Sequence, residues 1–376
     1  MVLCFGALTI DGNSFLDNAS DTTGGGGGGA AIVETNSVQY TNNTHAGGTA
    51  AVGGGMALRA SDSVTLAGTS FTGNSATISG GGLWILDSDA VAISAATFTN
   101  NSATGTGGGV RLEDSASATF DSCTFAGNAA TGTDADGGGL SGANLATVTI
   151  TDSTFSTNQA GRTGGGALIT GSSSVAVTAS TGGTSSFTGN SAGSHGAGAA
   201  ITLSSTVLVA ATEFSNNAAG LKGGGLDLFN NTDAEVLNGV FTGNSGERGG
   251  GVYIDGGSGY VRVTSNTFTG NSATISGGAV NWWLVDGTSL DNTMTGNSAN
   301  QGGAVAVAGG SVTAVQFEDD VITNNTAATS GGGIYVGNAD TTAVCTTSTQ
   351  TSFAGNTPAS PNVYCVAGAN CLCGGI

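Results

Sequence analysis

Basic residues and prolines are scarce in this chain. Its 376 residues include 6 Lys and Arg and 2 Pro, against 25 Asp and Glu and 69 Gly. The net charge of −19 leaves too few cations to neutralise a phosphate backbone, so we expect no nucleic-acid partner. Collagen is excluded as well, because its triple helix needs abundant proline. The apolar share of 38% is still large enough to form a buried core.

Long apolar runs are also missing. No stretch reaches the roughly 18 apolar residues that suggest a transmembrane helix, so we expect no membrane span. Residues 1–10, MVLCFGALTI, lack the basic segment and the small-residue cleavage site of a signal peptide. Because a repeat begins almost at once, we expect a mature form or a fragment that starts within a solenoid.

The 6 cysteines are unevenly distributed, and four of them lie near the C-terminus. These are Cys345, Cys365, Cys371 and Cys373. Four cysteines without a neighbouring histidine favour two disulfides over a zinc site, with three pairings open. We expect no metal and no cofactor. We interpret residues 358–376 as a Cys-rich C-terminal cap on a repeat domain that spans residues 1–357.

One pattern recurs along almost the whole sequence. It consists of an aromatic or large apolar residue, an asparagine three positions later, a polar segment, two or three glycines and an apolar segment, as in FTGNSATISGGGLWI at residues 71–85. The first position is filled by Phe15, Tyr40, Phe71, Phe98, Phe125, Phe155, Phe187, Phe214, Phe241, Phe268, Met294, Ile322 and Phe353. The intervals average about 28 residues, a period typical of solenoids.

Residues 80–107 illustrate one repeat. Apolar residues alternate at 83–86, again at 91–93 and again at 97–99, which predicts three short strands. Residues 100–107 are interpreted as a polar loop. We therefore predict an all-β fold, a single-stranded parallel β-helix with about 12–13 coils of about 28 residues and three short strands per coil.

Stacked coils place equivalent residues on top of one another. Asparagine tolerates left-handed backbone angles and its amide can bond the backbone, so one asparagine per coil predicts an amide ladder beside a column of rings. The predicted structural ladder includes Phe71, Asn74, Phe98, Asn101, Phe125, Asn128, Phe241, Asn244, Phe268 and Asn271.

The FxxN motif followed by GGA[IL] or GGG[VL] resembles the repeat of the chlamydial polymorphic outer-membrane proteins. The resemblance covers nearly the whole chain in about twelve copies. It implies a right-handed β-helix displayed outside the cell, which acts in adhesion or as a structural surface component. The membrane barrel of the bacterial proteins has no counterpart in this sequence, and such repeats share no catalytic residues.

Many β-helices degrade polysaccharides, and an active site of that kind needs acidic and basic residues in a suitable pattern. Asn231-Thr232-Asp233 and Asp319-Asp320 match parts of the pectin-hydrolase pattern, but His195 lies upstream of both and no basic tripeptide follows. The six basic residues lie on separate coils, which predicts no cluster. We expect no enzyme activity.

Outward positions offer three further candidate surfaces. Hydroxylic residues flank the aromatic position in many coils, an array similar to the face of solenoid ice-binding proteins, although threonine also simply favours strands. Trp84, Tyr253 and Tyr335 are predicted to point outward, where rings could stack on sugars. N-glycosylation sequons occur at Asn18, Asn42, Asn100, Asn230 and Asn324, of which Asn42, Asn100 and Asn324 precede the ladder and should face solvent.

These observations favour a non-enzymatic, extracellular structural protein, either a surface adhesin or a subunit of a fibre. Its expected partners are further copies in end-to-end association, other surface proteins, or glycans. The alternatives are an ice-binding protein and a polysaccharide-degrading enzyme.

Overall fold

A computed structural model describes residues 2–3, 6–20, 26–256, 259–309, 313–337, 341–345, 351–358, 362–365 and 370–371. Every regular element among them is a β-strand, and all pairings between strands of neighbouring coils are parallel. The coils number about 12, with about 27 residues each, and they build three sheets. The predicted parallel β-helix is therefore confirmed. By their contacts the residues divide into two compact units, 1–193 with 197–199 and 194–196 with 200–376.

The first unit contributes strands to all three sheets. Those of the first sheet are Val2–Leu3, Ala7–Asp11, Ala30–Thr41, Met56–Ala67, Leu83–Leu86, Ala90–Ser94, Val110–Glu113, Ser117–Asp121, Leu140–Ala143, Thr147–Thr151, Ala167–Thr170 and Ser174–Thr178. The second sheet has Ser14–Leu16, Thr44–Ala46, Ser70–Thr72, Thr97–Thr99, Thr124–Ala126, Thr154–Ser156 and Ser185–Thr188. The third has Thr49–Val52, Ser75–Ser79, Ser102–Ala103, Ala129–Ala130, Gln159–Ala160 and Ser191–Ala192.

The second unit has the same coil plan. Its first-sheet strands are Ala199–Thr202, whose first residue is counted with the first unit, Thr206–Ala210, Leu226–Phe229, Asp233–Leu237, Val252–Asp255, Tyr260–Thr264, Val280–Trp283, Asp286–Leu290, Val305–Ala308, Thr313–Glu318, Ile334–Val336, Thr341–Cys345, Val363–Cys365 and Asn370–Cys371. The second sheet has Thr212–Ser215, Val240–Thr242, Thr267–Thr269, Thr293–Thr295, Val321–Thr323 and Ser352–Ala354. The third has Ala218–Ala219, Ser245–Arg248, Ser272–Ser276, Ser298–Gln301 and Thr326–Ser330.

The elements within a coil differ from the prediction in two respects. The alternating segments 83–86 and 91–93 belong to the same sheet, where a bend separates them, whereas Ala30–Thr41 and Met56–Ala67 run through that bend unbroken. The segment after the ladder asparagine, interpreted as a polar loop, forms the third sheet instead, as at Ser75–Ser79. Small residues such as Ser and Ala carry a weak alternation signal, and their strand conformation is set by pairing with the next coil.

A column of stacked rings fills the interior of most coils, and Met294 and Ile322 take the ring position in two later coils. In the first unit, consecutive centroids from Phe71 to Phe187 are 4.4 to 5.0 Å apart and the rings are nearly parallel. In the second unit, Phe214, Phe241 and Phe268 stack at 4.8 Å. These rings are fully buried. Because strands stay in register from coil to coil, each ring meets its equivalent and adds apolar burial to the same core.

The ring position of the second coil is a correction to the sequence analysis. His45, not Tyr40, pairs with Phe15 and Phe71, at centroid distances of 4.6 and 4.8 Å. Tyr40 lies on the preceding strand and its hydroxyl contacts His45 Nε2 at 2.6 Å. Burial lowers the pKa of His45 to about 4, so the imidazole is neutral at pH 7 and replaces a phenyl ring. Tyr40 fits the FxxN motif because Asn43 follows it three positions later, but Asn43 Oδ1 accepts from the Asn13 N–H and takes no part in the ladder beside the rings.

An amide ladder runs beside the rings in each unit. The Nδ2 of Asn74, Asn101, Asn128 and Asn158 each donates to Oδ1 of the next ladder asparagine at 2.9 or 3.0 Å. In the second unit the same bond links Asn217, Asn244, Asn271, Asn297, Asn325 and Asn356. The second Nδ2 hydrogen reaches the carbonyl of the ring residue one coil earlier, as Asn101 does with Phe71. The ladder therefore satisfies buried backbone groups at the bend.

Candidate functional site

The sequon asparagines occupy turns rather than the core. Asn42, Asn100, Asn230 and Asn324 are exposed and have φ between 52° and 56°. Asn18 is half-buried. Left-handed backbone angles favour asparagine and glycine, which is a structural reason for asparagine at these four turns.

The hydroxylic residues beside the ring column line up as expected from an in-register stack. Thr267 pairs with Thr293 and Thr269 with Thr295, and the Oγ1 atoms of Thr295 and Thr323 are 3.0 Å apart. Val240 and Val321, which are 42% and 40% exposed, interrupt the row of hydroxylic residues that precede the ring position. The array is thus regular over short stretches.

Of the three aromatic residues predicted to point outward, Trp84 and Tyr335 are half-buried. Tyr253 is a correction, since it is buried at 1% exposure. Its strand position faces away from the ring column, but Lys222 from the loop of the preceding coil lies over its ring. The covering residues come from a neighbouring coil, which alternation along a single strand does not reveal.

The predicted disulfides lie outside the described residues, because the side chains of Cys345, Cys365 and Cys371 and the whole of Cys373 are not described. Most of the predicted cap at 358–376 is not described either. Cys123 is a buried thiol in the first unit, and burial raises its pKa to about 11.

The second unit contains a group of charged and aromatic side chains that we call the charged cluster: His195, Lys222, Asp227, Tyr253 and Asp255. His195 and Lys222 are in register on consecutive coils, just before the glycines that open the first-sheet strand. Asp227 and Tyr253 are in register on the strands that follow. The loop residues lean over the outward face of the next coil and cover it.

Glycines allow this close approach. Gly223 has φ of +63°, and a Cβ at Gly224 would lie 2.4 Å from the carbonyl oxygen of Gly250 on the next coil. Only glycine fits such a bend. The turn brings Lys222 onto the neighbouring coil.

Each loop residue of the cluster contacts the following coil. Lys222 Nζ is 3.1 Å from Asp255 Oδ2 and 4.5 Å from the centroid of the Tyr253 ring. The Tyr253 hydroxyl donates to the same Asp255 oxygen at 3.0 Å. His195 Nδ1 lies 3.7 Å from Asp227 Oδ2. The next basic residue of the row, Arg248, lies over the Trp283 ring at 5.5 Å.

Asp227 is the most unusual member of the cluster. It is 3% exposed, and its Oδ1 atom has no hydrogen-bond partner within the described part of the chain. The pKa of Asp227 is raised to about 8, mainly by burial, while the charge of Lys222 opposes the shift and that of Asp255 adds to it. The carboxyl is therefore largely protonated at neutral pH.

From the sequence, His195 was considered only for a pectin-hydrolase pattern, and the basic residues, which include Lys222 and Arg248, were expected to form no cluster because they lie on separate coils. Their spacings of 27 and 26 residues are one coil each, so they are neighbours in the stack. The repeat period indicates this arrangement, because residues one period apart lie side by side in an in-register stack.

Asp320, a member of the Asp319-Asp320 pair, is fully buried. It ends a second ladder in which Asn266 donates to Asn292 and Asn292 to Asp320 Oδ1. Its Oδ2 has no partner in the described residues, and burial raises its pKa to about 7. The pair therefore does not form an open catalytic site.

This buried carboxyl predicts a pH dependence of stability. Because the pKa of Asp320 rises from 3.8 to about 7 on folding, the folded chain holds the proton more tightly. The free energy of unfolding should then fall as pH rises from about 4 to about 7. An asparagine at this position would donate to the Ser289 carbonyl, as Asn292 does to Val263. We expect Asp320→Asn to raise stability at pH 8 by on the order of 2 kcal/mol.

Urea unfolding at pH 4.5 and pH 8 tests this, with Asp319→Asn as the matched control because Asp319 is exposed and makes the same charge change. An equal gain for both variants would contradict a role for burial.

Among the described residues, no group of three or more His, Cys, Asp or Glu side chains could hold a metal ion. A membrane-crossing helix is likewise absent from the described part of the chain.

Coils, sheets and ladders together define a parallel β-solenoid protein. The family described as right handed beta helix region matches residues 2–181 and 181–357, and the chain belongs to this family. The β-helix fold fits structural and surface proteins as well as β-helix enzymes. The family match gives no evidence for the chlamydial type of repeat. No curated protein and no solved structure matches the chain.

Proposed function

We propose that this chain is a non-enzymatic extracellular structural protein, either a surface adhesin or a subunit of a fibre. The observation that supports it best is that the polar contacts of the charged cluster run from one coil to the next. Lys222 bonds the Asp255 carboxylate of the following coil, and His195 Nδ1 lies 3.7 Å from Asp227 Oδ2, also on the coil that follows it. The cluster ties coils together, and the Asp227 side chain is too buried, at 5% exposure, to reach a substrate.

The exposed surface is consistent with this role. It presents rows of Ser and Thr hydroxyls and four sequon asparagines at turns, which offer sites for glycans or for protein partners. The resemblance to the chlamydial polymorphic outer-membrane proteins supports display outside the cell. In a fibre, the parallel backbone pairing between coils would continue from one copy to the next.

Electron microscopy of the purified chain at rising concentration tests the fibre form, and binding to cells and to a glycan array tests the adhesin form. We expect end-to-end particles or saturable binding. Monomeric particles at all concentrations, together with no binding to either target, would contradict the proposal.

A polysaccharide-degrading enzyme is the second candidate. The raised pKa of the buried Asp227 carboxyl favours it, because strongly perturbed carboxyl groups are frequent in acid–base catalysis. Acidic and neutral polysaccharides should be incubated with the chain and assayed for new reducing or unsaturated ends. Cleavage that Asp227→Asn abolishes, with the fold retained, would overturn the structural role.

Ice binding is the third candidate, supported by the in-register threonines of Thr267–Thr269 and Thr293–Thr295. Thermal hysteresis that Thr295→Val reduces would establish it. We expect none, because exposed Val240 and Val321 break the array.

A further inference from the structure

Lys222 is the only lysine in the chain, and the other five basic residues counted with it are arginines. The two cations are not chemically equivalent. A lysine amine can lose its proton and act as a nucleophile, whereas a guanidinium stays protonated in proteins. The single lysine lies against a carboxylate of the neighbouring coil.

The geometry around Lys222 suits a reaction between the two side chains. Its Nζ is 3.1 Å from Asp255 Oδ2, and the two side chains are 27% and 11% exposed. The Tyr253 ring lies under the amine at 4.5 Å, and the Tyr253 hydroxyl donates to the same carboxylate oxygen at 3.0 Å. The Tyr253 side chain thus contacts both reacting groups and holds them in place.

A second carboxyl lies beside the pair, because Asp227 is in register with Tyr253 on the adjoining strand. Asp227 follows Lys222 by five residues, and the charges of Lys222 and Asp255 both act on it. It is 3% exposed and its Oδ1 has no partner within the described residues. A protonated carboxylic acid in this position can give and take back a proton.

We propose that Lys222 and Asp255 form an intramolecular amide bond between consecutive coils, with Asp227 as the proton carrier. The ammonium first passes a proton to Asp255, which makes a neutral amine and a neutral carboxylic acid. Nζ then attacks Cγ of Asp255, the Cγ–Oδ2 bond breaks, and the hydroxyl leaves as water. Asp227 supplies the proton for the leaving hydroxyl and recovers one from Nζ, so the net change is one amide formed and one water released.

Fixed geometry is what makes this reaction feasible without an added reagent. Two groups held in contact react as one molecule, which removes the entropic cost of bringing them together. The other described ion pairs, Arg111–Glu113, Arg162–Asp136 and Arg262–Asp233, and the His195–Asp227 contact lack a lysine and cannot follow this route. The proposal goes beyond the surface role and does not depend on it.

Mass spectrometry of the intact, denatured chain tests the bond. We expect a mass lower by one water molecule, no labelling of Lys222 by an amine reagent after denaturation, and a branched peptide that joins the segments around residues 222 and 255. Lys222→Arg keeps the ion pair and should restore the full mass. This variant also separates the amide from a succinimide at Asp255-Gly256, because a succinimide would lose the same water without the lysine.

Asp227→Asn should slow formation of the bond in freshly purified protein and flatten its dependence on pH, with an unchanged circular dichroism spectrum. A merely structural Asp227 would leave the rate unaltered. A wild-type chain that keeps its full mass and a reactive Lys222 after prolonged incubation in the folded state would overturn the proposal.

Discussion

Replacing Asn101 by alanine is expected to lower the free energy of unfolding by about 4 kcal/mol. Its Nδ2 donates to the Phe71 carbonyl at 2.9 Å and to Asn128 Oδ1 at 3.0 Å. Its Oδ1 accepts from the backbone N–H and from Nδ2 of Asn74 at 3.0 and 2.9 Å. Alanine leaves all of these buried partners with an unmet bond, and each unmet buried group costs about 1–3 kcal/mol. Urea unfolding followed by circular dichroism measures the change.

Asn100→Gly is the matched control, one residue away. Asn100 is exposed with φ of 55°, an angle that glycine adopts freely, so we expect almost no change. Gly48 already stands at the ladder position of an earlier coil, where its N–H donates to Asn74 Oδ1. A loss for Asn101→Ala below 1 kcal/mol would mean that the ladder is structurally redundant.

Replacing Phe98 by alanine is expected to cost about 3–5 kcal/mol. The ring is fully buried and stacks on Phe71 and Phe125 at 5.0 Å on either side. Truncation opens a cavity between two rings whose positions are set by strand pairing, so the column cannot close around it. Thermal and urea unfolding of the purified variant measure the loss.

Two variants locate the origin of this cost. Phe98→Leu fills part of the space and should lose less, whereas the exposed neighbour Thr97→Ala should change stability by less than about 0.5 kcal/mol. Equal losses for Phe98→Ala and Thr97→Ala would contradict the stacked column as a main source of stability. Because coils contact only their neighbours, Phe98→Ala and Phe98→Leu should both weaken the stack locally.

These effects separate the residues that build the coil from those that vary between coils. Phe98 and Asn101 repeat in kind along the chain, and their contacts are fully accounted for by stacking. Lys222, Asp227 and Asp255 do not repeat, and their contacts link only particular coils. A function of this protein that depends on specific side chains is therefore to be sought among the second group.

The ring column and the asparagine ladder could be predicted because their signal is additive. A phenylalanine and an asparagine recur at one period, and an in-register stack turns that period directly into contact. The same reasoning failed at Tyr40, because a chance match to the motif outweighed His45, whose ring fits the column only when burial keeps it neutral. It failed at Tyr253 because the cover comes from the loop of another coil.

By itself, the sequence determined the parallel solenoid, its period, and the residues that fill and bond its interior, since these depend on repetition alone. Only the tertiary structure decided which unrepeated side chains meet. Lys222 and Asp255 are separated by 33 residues and carry no shared pattern, yet the bend at the glycines places their charged atoms in contact. The burial of Asp227 and the raised pKa that follows are set by that same packing, which one strand's alternation does not encode.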